Sequence, residues 1–397
     1  MTLPPVETLL VAVFALLLGH WVNQRVALLA RYNIPDPITG GIIFAVAMTA
    51  TEQFSCFQLV FDVSMKPVLL LAFFAAVGLS ADLSMLKQGG KRLLLFVLVL
   101  IPFLFLQNML GIVLAKALDM HPLMGLVGGT ITLVGGHGTG AAYAERFAEV
   151  NNLQSIMELS MTSATLGLVL GGVIGGPLAQ WLIVRHGLSE EQQQVDVSAP
   201  PEAPTAVPIR SGNFFPVLGA TLLALVVGQV LAGWFDEGTV TFPSFLWCLL
   251  LGVVIRNSLA LTGFKLNDGA IDFLASVTLS LFLVNTMMAL NLSEVFSLAG
   301  PLLLMLLAQA VLAMIYGAWV VYRFVGKDYE SAVLAAAFCG FAIGATATAI
   351  ANMQAITQKY RPAPEAFIVA PLVGAFLVDL LNALVLTGFL AVPGLGG

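Results

Sequence analysis

The sequence predicts an all-α membrane protein made of two inverted-topology repeats. Each repeat has five transmembrane helices and a re-entrant hairpin between its fourth and fifth spans. Three observations predict it. Of the 397 residues, 59% are hydrophobic and only 10% are charged, whereas a soluble domain carries roughly a quarter charged residues. A polar, proline-rich stretch falls near the midpoint of the chain. The basic residues fall mainly on one side of the implied topology.

The chain opens MTLPPVETLL, with no Lys or Arg ahead of its first apolar run. Residues 5–24 are therefore expected to be a first span, not a cleaved signal peptide. Further spans are expected near 37–53, 66–81, 93–115 and 156–184, against the roughly 20 apolar residues that crossing requires. A Gly-rich segment, 122–150, separates the fourth span from the fifth. Residues 186–213 hold Glu190, Glu191, Asp196, Glu202, Pro200, Pro201, Pro204 and Pro208, the composition of a linker. The second half repeats the pattern, with spans near 214–235, 240–256, 272–290, 300–322 and 364–390. A small-residue segment, 331–358, interrupts it. This divides the chain into an N-terminal repeat (1–185), a cytoplasmic linker (186–213) and a C-terminal repeat (214–397). Helix is the expected conformation, since it satisfies its own backbone polar groups in lipid. The runs are too long and continuous for barrel strands.

The halves align weakly but in order: Leu83-Ser84 with Leu292-Ser293, Thr139 with Thr346, Glu158 with Glu365. Five spans is an odd number, so the second repeat must start from the opposite face. With both termini outside, thirteen of the 16 basic residues lie inside, leaving Lys66, Lys116 and Arg146 outside. That count holds only if 122–150 enters and leaves from outside and 331–358 from the cytoplasm.

Composition also excludes some classes. A net charge of −6 without a basic stripe argues against nucleic acid. Cys56, Cys248 and Cys339 lie far apart in apolar surroundings and form neither a disulfide framework nor a zinc spacing. His137 has no neighbouring metal ligands and no nucleophile, which argues against an enzyme.

Chemistry concentrates in the two interrupted segments. GGTITLVGGHGTGAA (128–142) places six glycines in thirteen positions, Gly128 to Gly140. Such density suggests backbone that leaves the helix and lines a cavity; tight packing through small residues is the alternative. CGFAIGATATAIAN (339–352) offers oxygens from Thr346, Thr348 and Asn352 to a hard monovalent cation, or else its threonines bond back to helix carbonyls. Half-helix N-termini at the breaks would suit a carboxylate. His137 either fixes its loop or donates to that carboxylate. Asp379 lies inside the last span with Asn382 three residues on, on one helix face. An intramembrane carboxylate is costly, so Asp379 is read as a sodium or ammonium ligand, with an interhelical clamp as the alternative. Gln107, Asn108, Asn285 and Asn291 are read as interhelical glue. Asp82 and Asp272 lie near span ends and are read as interfacial.

GGHGTGAA followed by SATLGLVLGGVIGGP (163–177), then GATATAIANM (344–353) and PLVGAFLVDLLNALV (371–385), resembles the bacterial sodium/glutamate symporter (ESS) family over nearly the whole chain. The resemblance implies sodium-coupled uptake of L-glutamate at the bacterial cytoplasmic membrane, by alternating access of the elevator type, in a homodimer. It implies a binding region at Gly135, Gly136, His137, Gly138 and Thr139, and at Gly344, Ala345, Thr346, Thr348 and Asn352. One departure matters. Ala347 stands where the family often has Pro, so this segment is expected to be more regularly helical. A sodium-coupled di- or tricarboxylate carrier, or one for another anionic amino acid, is the alternative within the same architecture.

Overall fold

A computed structural model describes residues 2–54, 60–153, 155–188, 209–235, 243–290 and 292–392. Most of the expected linker, Cys56 and Asn291 lie outside these residues. The first half contains α1 (Pro5–Arg25), α2 (Ala27–Arg31), α3 (Asp36–Phe54), α4 (Lys66–Ser80), α5 (Gly90–Ala117), α6 (Pro122–Leu126), α7 (Gly136–Asn151) and α8 (Ile156–Arg185). The second contains α9 (Ser211–Trp234), α10 (Ser244–Leu261), α11 (Asp268–Met288), α12 (Leu292–Tyr316), α13 (Tyr322–Val325), α14 (Tyr329–Ile343), α15 (Thr346–Lys359), α16 (Pro364–Leu372) and α17 (Val378–Leu390). Helix covers most of the described part of every stretch read as a span, with Ala81, Pro243, Ala289 and Leu290 among the residues lying just outside the helices. Among the described residues seven helical stretches are long and apolar enough to cross a membrane, and α3, α4, α14 and α17 are shorter apolar helices. A two-residue parallel pairing, Thr2–Leu3 with Val60–Phe61, departs from the all-helical expectation.

Local chemistry sets the helix starts. Proline occupies the first turn of α1, α4, α6 and α16, where its missing N–H has no partner to lose. Asn267 caps α11 and Asp328 caps α14, each accepting from a backbone N–H at 2.8 Å.

The helices pack in two groups that cut across the halves. In one, α4 lies against α9, α10 and α11, and α1 and α3 lie against each other and α11. In the other, α8 contacts α7, α12, α14 and α15, while α5 contacts α6, α12, α16 and α17. Small residues let backbones approach closely at the crossings. A Cβ on Gly78 of α4 would collide with the Leu249 carbonyl of α10, and one on Gly40 of α3 with the Ala15 carbonyl of α1.

Each group-two segment read as a hairpin is a broken helix. α14 stops at Ile343; Gly344 and the extended Ala345 carry the chain into α15. α15 folds back along α14: a Cβ on Gly340 would collide with Ala349 Cα, and Asn352 Nδ2 donates to the Ala336 carbonyl at 3.3 Å. In the first half, α6 continues through a π-helical stretch, Val127–Ile131, distorted at Gly129 (φ −108°, ψ −133°), and α7 starts at Gly136 (φ +65°).

At one end of this group Arg92 joins three elements. Its guanidinium holds Asp328 through two bonds (2.9 and 2.7 Å) and Glu365 at 2.6 Å. Gly326 leaves room for the arrangement, since a Cβ there would stand 3.1 Å from Arg92 Nη1. Burial pushes the Asp328 carboxyl up, but the bonds from Arg92 and Ser331 outweigh it and hold the group at about 2. Because this value lies below the ordinary 3.8, the pairing stabilises fully above that pH and is lost as pH falls towards about 2. Arg92→Gln is expected to lower stability by about 1–2 kcal/mol, solvent screening included, and to flatten the loss between about pH 4 and 2. Thermal unfolding in detergent across that pH range checks both; an unchanged midpoint would refute the role.

Candidate functional site

Two adjacent amides on α5 hold the two breaks. Gln107 Nε2 donates to the Ala342 carbonyl at 2.8 Å, two residues before Gly344. Asn108 Oδ1 accepts from the Thr130 backbone N–H at 3.2 Å and its hydroxyl at 2.9 Å, beside the distorted Gly129. Gln309 of α12 donates to the Gln107 carbonyl at 3.0 Å, and Asn382 of α17 donates to the Thr130 carbonyl at 3.0 Å. All four amide side chains are buried. The bonds to Ala342 and Thr130 satisfy backbone groups beside the helix breaks, which lipid could not do, and Gln309 holds α5 at Gln107.

The breaks meet on α8. A Cβ on Gly167 would collide with the Ile343 carbonyl and would stand 2.9 Å from Leu133 Cδ2, so one position receives both segments. Gly171 and Gly175 continue the stripe one and two turns on. Asn352 Nδ2 donates to the Gly171 carbonyl at 2.9 Å and fills the space a Gly175 Cβ would need. On the preceding turn, Ser163 pairs with Thr132 at 2.7 Å and Thr165 with His137 Nε2 at 3.0 Å. Thr165 spends its proton on the Met161 carbonyl (2.8 Å), so His137 Nε2 is the donor.

Both helices that leave the breaks start without a side-chain cap, at Gly135 for α7 and Ala345 for α15. The first N–H groups of a helix have no intrahelical acceptor. His137, Gly138 and Thr139 in the first turns of α7 are nonetheless buried. The start of α7 therefore presents donors and a positive helix end inside the protein, whereas α15 starts at half-buried Ala345 and Thr346 with Ala347 exposed.

The glycine-rich run has two causes. Gly129 and Gly136 serve the backbone breaks. Gly138 and Gly140 lie within α7 and serve packing: Cβ atoms there would stand 2.7 Å from Phe73 Cε1 and 2.6 Å from Ser160 Oγ. The run thus leaves helical geometry over a shorter stretch than its glycine density suggests.

The three expected cation ligands differ in their commitments. Thr346 Oγ1 donates to the Gly374 carbonyl at 3.0 Å, and the Asn352 amide nitrogen holds Gly171 and Ala336. Thr348 Oγ1 is buried with no partner among the described residues, as is Asn382 Oδ1. Asp379 lies between Gly374, which touches the second break, and Asn382, which touches the first; among the described residues it has no hydrogen bond or ion pair. α15 runs unbroken from Thr346, as expected with Ala at 347. Among the described residues Asn285 bonds within its own helix, to the Leu281 carbonyl, and not between helices as its reading as interhelical glue expects. Asp82 takes part in the ion pairs of Arg256, at 3.5 Å.

Thr130, Thr165 and Gln309 were not expected from sequence. Their signal was available: buried polar side chains within apolar runs, and glycines at i, i+4 and i+8 on α8.

Residues 1–362 match the family model described as Sodium/glutamate symporter. The sodium/glutamate symporter of Escherichia coli K12 is 40% identical over all of this chain and 99% of its own. That of Haemophilus influenzae is 40% identical over 96% of this chain and 95% of its own. Among solved structures, a sodium proton antiporter from Methanocaldococcus jannaschii superposes at TM-score 0.44, with 17% identity over 99% of each chain.

Gly167→Ala is expected to destabilise by about 1–3 kcal/mol, because the methyl group must displace Ile343 or Leu133. Gly176→Ala, which faces open space, should stay within about 1 kcal/mol of the parent. Asn108→Leu should cost about 1–3 kcal/mol by stranding Thr130. Thermal unfolding of the purified variants checks these; Gly167→Ala as stable as Gly176→Ala would contradict the packing.

Proposed function

Because the chain belongs to the sodium/glutamate symporter family, we propose that the meeting of its two helix breaks is the centre where L-glutamate and sodium are bound together. The protein is a secondary transporter, not an enzyme, and sodium is its coupling ion. The observation that carries the site is the convergence of both breaks on Gly167 of α8, beside two uncapped helix starts.

In this reading the N–H groups of Gly136, His137 and Gly138, with Gly135 and Thr139 beside them, receive a substrate carboxylate. Gly344 and Ala345 supply the facing peptide. Sodium lies near Thr346, Thr348 and Asn352, and Thr348 Oγ1 is the ligand with no competing bond. Asp379 and Asn382 address the substrate ammonium from the last span. That ammonium separates an amino acid from a di- or tricarboxylate, the runner-up cargo. Bound cation offsets the substrate charge and orders both breaks.

The same reading makes the broken segments re-entrant and the halves inverted repeats, divided at the linker. It places both termini outside the bacterial cytoplasmic membrane and pairs the chain as a homodimer. The group built on α5, α8 and α12 carries the breaks and moves against the group built on α4, α10 and α11, giving alternating access. Each net positive charge carried inward gains about 2.3 kcal/mol per 100 mV.

The test is uptake of labelled L-glutamate into proteoliposomes, with and without an inward sodium gradient. Sodium-driven citrate uptake without glutamate uptake would overturn the substrate, and glutamate uptake on a proton gradient alone would overturn the cation. Asp379→Asn is expected to raise the glutamate KM about tenfold or more, the loss of one charged hydrogen bond. Thr348→Val should raise the half-saturating sodium concentration. Unchanged values for either variant would remove that residue from the site.

A further inference from the structure

A cavity of about 720 Å³ opens away from the transport centre, between the start of α5, the end of α13 with the turn that follows it, and α16. Four cations line it: Lys91, Arg92, Arg323 and Lys327. Arg92 is fully engaged by Asp328 and Glu365. Lys91, Arg323 and Lys327 have no carboxylate partner among the described residues, and with Asp328 and Glu365 both set against Arg92 the cavity keeps a net positive charge. One carboxylate, Glu365, lines it, and it already faces Arg92.

The rest of the lining is apolar. Phe324 is 60% exposed and Ile368 44% exposed; Leu95 lies one turn up α5 from Lys91. Trp319, 70% exposed, precedes Arg323 by about a turn, an aromatic placement typical of a membrane interface. α5 and the stretch ending at Val325 are both long enough to cross a membrane, and the cavity sits at their ends. That is headgroup depth. A soluble anion would match the cations but would gain nothing from the exposed Phe and Ile beside them.

We propose that this cavity binds the headgroup phosphate of an anionic phospholipid, with Lys91, Arg323 and Lys327 around the phosphate and Phe324 and Ile368 along the acyl chains. Basic pockets between spanning helices suit such headgroups. The site is separate from glutamate and sodium binding and does not depend on their assignment.

The test is native mass spectrometry of the delipidated full-length protein, titrated with phosphatidylglycerol or phosphatidylcholine in detergent. Phosphatidylglycerol should be retained and phosphatidylcholine not. Each of Lys91→Gln, Arg323→Gln and Lys327→Gln should weaken retention about fivefold, and the triple variant about a hundredfold. Lys116→Gln, an exposed cation elsewhere, should retain the parent affinity and controls for loss of general charge. The single variants, at exposed positions, keep the test open should the triple variant misfold. Equal retention of the two lipids, or undiminished retention by all three single variants, overturns the proposal. Displacement of the lipid by millimolar inorganic phosphate alone would also overturn it, identifying a soluble-anion site instead.

Discussion

Backbone N–H and C=O groups freed at membrane depth are tolerated only where they are buried in protein or line a cavity, and this rule governs the molecule. A chain that breaks helices inside a membrane frees several such groups at once. Here the freed groups are met by side-chain amides from intact helices. Gln107, Asn108 and Asn382 each bond a backbone group next to a break. These amides are buried side chains of helices that remain intact. Polar side chains that would be liabilities in a lipid-facing helix become the supports on which an irregular backbone rests.

The second requirement is close approach. Two helix breaks can reach a common place only if the helix receiving them has no side chains in the way. α8 provides this with Gly167, Gly171 and Gly175, while its Ser163 and Thr165 bind the other segment one turn earlier. One helix therefore handles both breaks, through a smooth glycine stripe and through hydrogen-bonding side chains on the turn before it. The grouping of helices by role, and not by half, follows from this shared seat.

Much of the architecture was legible in the sequence. Long apolar runs and scarce charge placed the helices, because in lipid the hydrocarbon thickness fixes their length. The interruptions were legible as glycine and small-residue clusters. What each glycine does was not. Gly136 needs a positive φ, whereas Gly138 and Gly140 need room for Phe73 and Ser160, and only the partner helices reveal the difference. Likewise Thr346, Thr348 and Asn352 are equivalent as letters. They separate once Gly374, Gly171 and Ala336 supply carbonyls to two of them and none to Thr348. Those partners lie 16 to 181 residues away in the chain, beyond any local spacing argument.

Gln107 and Asn108 are consecutive residues, and this has a mechanical consequence. Their Cα atoms are separated by one peptide unit, about 3.8 Å, a length no conformational change can alter. Each anchors a different break. The gap between the two breaks is thus tied to a covalent dimension of α5, and not solely to the softer fit of packed side chains. Any displacement of one break that keeps its amide bond to α5 is therefore passed to the residue that anchors the other.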